Sequence, residues 1–121
     1  MSTPALPDLL GLAGRIVIVA GAGGGGMGTA IVRLAAEAGA IVLAVDRIAA
    51  SLDTAIAPLV AEGLAVVPLV ADVASEPGVD AIIAVARALP GDLHGLVTVV
   101  GGVPDPMWGP ATAVTREHWR F

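Results

Sequence analysis

Apolar positions in this chain fall into short continuous runs and longer stretches of helical spacing, and the two kinds alternate. Arg15–Ala20 (RIVIVA) is a β-branched run with no polar face, the pattern of a strand buried on both sides. A glycine cluster follows, Gly21-Ala22-Gly23-Gly24-Gly25-Gly26-Met27-Gly28. From Thr29 to Ala38, the residues Ile31, Leu34, Ala35 and Ala38 share a helix face, and Gly39 is placed to end it. Ile41–Val45 reads as a second buried strand, closed by Asp46-Arg47. Ile48, Leu52, Ile56 and Leu59 recur every three or four residues, predicting a helix over Ile48–Glu62 with Gly63 as its stop. Pro58 is expected to kink or interrupt that helix. Leu64–Val70 is a third strand, and Pro68 within it places it at a sheet edge. Ser75 is positioned to cap a helix running to about Leu89, ended by Pro90-Gly91. Leu96–Val100 is a fourth strand, with His94 in the loop before it. The stretch Val103–Ala113, with Pro104, Pro106 and Pro110, is loop-like, and Thr115 opens a last helical turn.

Strands alternating with helices at this spacing predict an α/β fold, a parallel sheet with right-handed crossovers and helices on both faces. The expected strand order is 3-2-1-4, and Pro68 fits it, because the third strand is then an edge. The chain, 1–121, reads as one domain that continues beyond its fourth strand.

Composition narrows the chemistry. Of 121 residues, 56% are apolar and 14% charged, which excludes a disordered chain. The net charge is −5, and the six cations are all arginines scattered singly from Arg15 to Arg120, so no nucleic-acid grip is expected. There is no cysteine, hence no disulfide, thiolate nucleophile or zinc–thiolate site. His94 and His118 are too few for a histidine-built metal centre. No segment has the length and apolarity of a membrane span or a secretory signal, so a cytoplasmic setting without membrane contact is the expectation. The chain also contains no Lys, Tyr, Asn or Gln.

The glycine cluster carries the main functional signal. A strand, a glycine turn and a helix N-terminus bring backbone N–H groups and a positive dipole end up to a pyrophosphate. The G-x-G-x-x-G pattern fits twice, as Gly21, Gly23, Gly26 and as Gly23, Gly25, Gly28, so the register stays open. Asp46, at the end of the second strand, is placed to accept from adenosine ribose hydroxyls, and Arg47 beside it could meet a 2′-phosphate or the adenine. Met27, between glycines, is expected to flank the cofactor. Gly101 and Gly102 end the fourth strand beside the first, where backbone can approach a ribose.

At these residues the chain resembles the short-chain dehydrogenase/reductase family. The family's T-G-x-x-x-G-x-G motif is matched by Ala20-Gly21, four intervening residues and Gly26-Met27-Gly28. Asp72-Val73 matches the Asp-Val of its adenine pocket, and Thr115 with Trp119 matches its Thr…Trp helix start. Leu96–Val103 (LVTVVGGV) is similar to L-V-N-N-A-G-I without its asparagines. The resemblance implies a Rossmann-type sheet that binds NAD in preference to NADP through Gly21, Gly25, Gly26, Met27, Gly28, Asp46, Arg47, Asp72, Val73, Gly101 and Gly102. It also implies that the catalytic Ser and Tyr-x-x-x-Lys lie beyond the helix opening at Thr115, so no catalytic residue is assigned here. A carbonyl or alcohol substrate then belongs to a full-length context, and the unpaired fourth-strand edge leads to an expectation of homo-oligomers. Two alternatives stay open at this point: a non-catalytic dinucleotide-binding or sensing module, and a methyltransferase-like fold binding S-adenosylmethionine.

Overall fold

The computed structural model describes residues 9–101 and 109–117. Four parallel strands, β1 (Ile16–Ala20), β2 (Ile41–Asp46), β3 (Val66–Val70) and β4 (Leu93–Thr98), form one sheet in the order β3-β2-β1-β4. Helices α1 (Met27–Glu37), α2 (Ala49–Ala61) and α3 (Glu76–Ala88) make the connections, and a short 3-10 turn occupies Ala111–Ala113. This is the Rossmann-type arrangement that the alternation of patterns predicts.

Every residue of β1 is buried, because the sheet is covered on both faces at its centre. Val17 and Val19 point to one face, where Val32 and Ala36 of α1 and Leu52, Ile56 and Leu59 of α2 close over them. Ile16 and Ile18 point to the other, with Leu43 and Val45 of β2 and the half-buried Ile82, Val85, Ala86 and Leu89 from α3 and its end. Full burial of one such aliphatic side chain is worth ~1.5–3 kcal/mol, so this double layer dominates the stability. Gly39 (φ +91°) and Gly63 (φ +85°) end their helices in the left-handed region, as their positions after the last apolar turn predict. Arg33 of α1 reaches past α2 to grip Glu62 with two bonds of 2.7 and 2.8 Å, and also meets Glu37 at 3.3 Å. The hydrogen bonds from Arg33 hold the Glu62 carboxyl below its ordinary range. The pair is exposed and orients the helices more than it stabilises them.

Three expectations need correction. Pro58 does not interrupt α2, which runs on to Ala61. It sits in the last turn, where its missing N–H frees only the carbonyl four residues earlier, on exposed Thr54, and its own carbonyl still accepts from Glu62 N–H (3.1 Å). The fourth strand begins at Leu93 rather than Leu96 and ends at Thr98, although Val99 N–H still bonds to Ala20 O (2.8 Å). His94 accordingly lies in a strand, not a loop: Ile16 pairs with Leu93 and Val17 with Gly95, so His94 is the extra residue of a bulge. Its Nδ1 lies 3.2 Å from an Arg15 guanidinium nitrogen. Pro68, by contrast, is where its chemistry requires, on β3 at the outer edge. The turn expected to open at Thr115 runs into residues 118–121, outside the described residues, as are Trp108, His118, Trp119 and Phe121.

No residue of β4 is fully buried, and among the described residues no strand pairs with its outer side. Leu96 is 64% and Val100 57% exposed, with Val79 and Ile83 of α3 also open to solvent. An unpaired apolar edge of this kind templates association. The 121-residue chain is therefore expected to self-associate with rising concentration, and Leu96→Lys to raise the monomer fraction. Light scattering checks this; a monodisperse wild-type monomer at high concentration would refute it.

Candidate functional site

The strands of a parallel sheet all end on one side, and here those ends gather the loop residues singled out above. At the end of β1 the chain turns sharply at Gly21 (φ +89°), whose N–H donates to Val45 O of β2 at 2.8 Å. A β-carbon at Gly21 would lie 2.7 Å from the carbonyl oxygen of Val99, so only glycine passes between the ends of β2 and β4. Ala22 N–H also donates to Val45 O (3.0 Å). Gly23 N–H donates to Asp46 Oδ2 (2.9 Å), with the α2 backbone at Leu52 close behind it. Gly25, again left-handed (φ +67°), donates to Thr29 Oγ1 (3.1 Å), and the Thr29 hydroxyl donates to Ala22 O (2.7 Å). Gly28, in the first turn of α1, packs directly on the Gly21 carbonyl with no room for a side chain.

This geometry separates the glycines of the loop by what each position demands. The positions where backbone shape or packing requires glycine are Gly21, Gly23, Gly25 and Gly28, whereas Gly24 and Gly26 face open space. The inward turn of Gly23 and Gly25 leaves the N–H groups of Gly24, Gly26 and Met27 without a hydrogen bond among the described residues. They lie at the uncapped N-terminus of α1, where Gly26 has no side chain to offer. Free N–H groups at the positive end of a helix dipole form an anion-binding concavity. Met27 sits beside it, 73% exposed.

Asp46 ends β2 half-buried, with Oδ2 on Gly23 and Oδ1 accepting from Ile48 N–H (3.0 Å). Its carboxylate thus ties the glycine loop to the start of α2. Each oxygen keeps a lone pair for a ligand hydroxyl. Arg47 is exposed and makes no hydrogen bond or ion pair among the described residues. Ala71 N–H donates to Asp46 O (3.0 Å), which brings Asp72 and Val73 to the same end of the sheet. Asp72 is exposed and accepts from Ala74 N–H (2.9 Å), while Ser75 caps α3 by accepting from Gly78 N–H (3.1 Å). Val73 is half-buried against the α3 side of the core. Gly101 is exposed just past β4; Gly102 lies outside the described residues. No helix among the described residues is long and apolar enough to cross a membrane.

The sequence reading did not single out Thr29. Its only signal is a hydroxyl placed directly after the glycine cluster, where Ser and Thr bond to nearby backbone instead of solvent.

Free backbone N–H groups at the start of a helix, at the carboxyl ends of a parallel sheet, are a general anion-binding arrangement. The short chain dehydrogenase model matches residues 15–120. The chain belongs to that family. Among solved structures it is similar to a short-chain type dehydrogenase/reductase from Mycobacterium ulcerans, with 31% identity and a TM-score of 0.74 over 90% of this chain and 40% of that one. It is also similar to a short chain dehydrogenase/reductase from Burkholderia phymatum in complex with NAD (27%, TM-score 0.64, 70% and 30%). A variant of actinorhodin polyketide ketoreductase with NADPH matches at 26% and a TM-score of 0.70, over 98% and 41%. The chain spans under half the length of these family members. No curated protein sequence matches it.

Proposed function

We propose that this chain binds NAD at the carboxyl ends of its strands, as the cofactor-binding part of a short-chain dehydrogenase acting on a carbonyl or alcohol. The observation that carries this is the glycine loop: Gly23 and Gly25 N–H are turned inward, and Gly24, Gly26 and Met27 N–H are left for a pyrophosphate at the start of α1. Asp46 is assigned to the adenosine ribose, Asp72 and Val73 to the adenine, Arg47 to the adenine rim, and Gly101 and Gly102 to the crevice beside the nicotinamide ribose. The family match and the NAD and NADPH complexes among its relatives support a nicotinamide dinucleotide. The bound nicotinamide would supply or accept the hydride.

A carbonyl oxygen needs a proton as hydride reaches its carbon, and a positioned general acid contributes ~10²–10⁴-fold. These 121 residues include no Tyr and no Lys. Asp46 and Asp72 are assigned to the adenosine end, away from the reacting carbon. The expected result is NAD binding by calorimetry without oxidation of NADH in the presence of small ketones. Turnover is expected once a second polypeptide supplies a family Tyr-x-x-x-Lys segment. Absence of NAD binding at millimolar concentration would defeat the proposal. Turnover by the 121 residues alone, after controls for host enzymes, would defeat its catalytic half.

A further inference from the structure

Four consecutive glycines, Gly23 to Gly26, have every conformational option open to them, and a loop that samples them all presents no fixed anion site. The bonds that hold this stretch are few. Asp46 fixes Gly23 from one side. From the other, the hydroxyl of Thr29 reaches back out of α1, donating to Ala22 O at 2.7 Å and accepting from Gly25 N–H at 3.1 Å. The two bonds span the loop: one anchors its entry, the other its left-handed residue Gly25 (φ +67°). At the end of β1, Ala20 has no hydroxyl to offer, so the bracing comes from the helix side. The bond from Gly25 N–H also decides which N–H groups face outward, because it draws Gly25 inward between Gly24 and Gly26.

We infer that Thr29 is the positioning residue that sets the phosphate-facing shape of this loop, so that pyrophosphate affinity depends on a hydroxyl already engaged on both sides by the chain itself. The inference rests on the dinucleotide reading above. It predicts an effect confined to ligands that carry phosphate: adenosine meets only the Asp46 and Asp72 end, whereas ADP must also use the loop. Valine has the shape of threonine without the hydroxyl, and serine keeps the hydroxyl.

The test uses the 121-residue chain and its Thr29→Val and Thr29→Ser variants, titrated with ADP and with adenosine, with amide hydrogen exchange followed by NMR. Thr29→Val is expected to weaken ADP about tenfold, the size of one to two lost hydrogen bonds, with adenosine unchanged. Thr29→Ser is expected to stay within about twofold of wild type for both. The amides of Gly25 and Gly23, the two in this stretch that are hydrogen-bonded, should exchange faster in the valine variant while those of β1 and β2 do not. Equal ADP affinity in wild type and Thr29→Val would overturn the inference. So would equal losses for ADP and adenosine, or faster exchange throughout the sheet, either of which would mark a merely structural role. If wild type binds neither ligand, the dinucleotide reading itself fails and the affinity claim with it, whatever the exchange rates show.

Discussion

Replacing Gly28 with alanine is expected to destabilise the chain by roughly 2–4 kcal/mol, whereas Gly24→Ala should change stability by no more than about 0.5 kcal/mol. The two glycines lie four residues apart, Gly24 in the loop and Gly28 in the first turn of α1. In the structure, a β-carbon on Gly28 collides with the carbonyl oxygen of Gly21. That oxygen is backbone, held by a turn whose N–H is bonded to Val45, so it cannot swing aside as a side chain would. Relief requires α1 to move away from β1, which opens the packing of Val32 and Ala36 on Val17 and Val19. Gly24 has nothing within 4 Å of the corresponding position. Denaturant unfolding of both variants checks the contrast. Equal midpoints for Gly28→Ala and wild type would show that the helix-to-loop contact is not the constraint described here.

NAD is expected to bind at least tenfold more tightly than NADP, and Asp46→Ala to abolish most of that preference. A 2′-phosphate on a ribose held by Asp46 would lie ~4 Å from the carboxylate, costing on the order of 4 kcal/mol per unit charge at an effective dielectric near 20. A charged hydrogen bond from Arg47 returns only ~1.5–3 kcal/mol. Every 1.4 kcal/mol of the remainder is tenfold in affinity. Asp46 also holds Gly23 and Ile48 N–H, so the alanine variant should lose absolute affinity for both dinucleotides while their ratio approaches one. Asp46→Asn removes the charge and keeps an acceptor for one of the two N–H groups, which separates repulsion from loop bracing. Calorimetric titration of each protein with both dinucleotides reads the ratio. Tighter NADP binding by wild type, or a ratio unmoved by either substitution, would refute the assignment.

The edge position of β3 was legible in the sequence because Pro68 is chemically unfit for an interior strand, and β1 was legible because the β-branched run at 15–20 is fit for little else. Helix ends at Gly39 and Gly63 were legible for the same kind of reason: the residue type and the backbone conformation coincide. The start of β4 was not. Leu93-His94-Gly95 has neither alternation nor a continuous apolar run, and it enters the sheet through the pairing of Leu93 and Gly95 with β1, with His94 accommodated as a bulge. Long-range pairing of that sort leaves no local trace. At the candidate site, Asp46 and the glycines were visible as residue types at the right spacing. Thr29 was not, since its partners at Ala22 and Gly25 become neighbours only once the loop has folded back on α1.

The central place of β1 has a kinetic consequence. It is the first strand among the described residues, and its two neighbours lie at very different separations. Ile16 pairs with Ile41 on one side, about 25 residues away, and with Leu93 on the other, 77 residues away. Closing the longer loop costs more entropy and must wait until β2, β3 and the three intervening helices have been laid down, so it is expected to be the slow step of assembly. Until then one whole flank of the most apolar strand in the chain stands open. On a ribosome, that interval lasts as long as the synthesis of everything between Ile16 and Leu93, and a partly made chain is most exposed to misassociation just before β4 emerges.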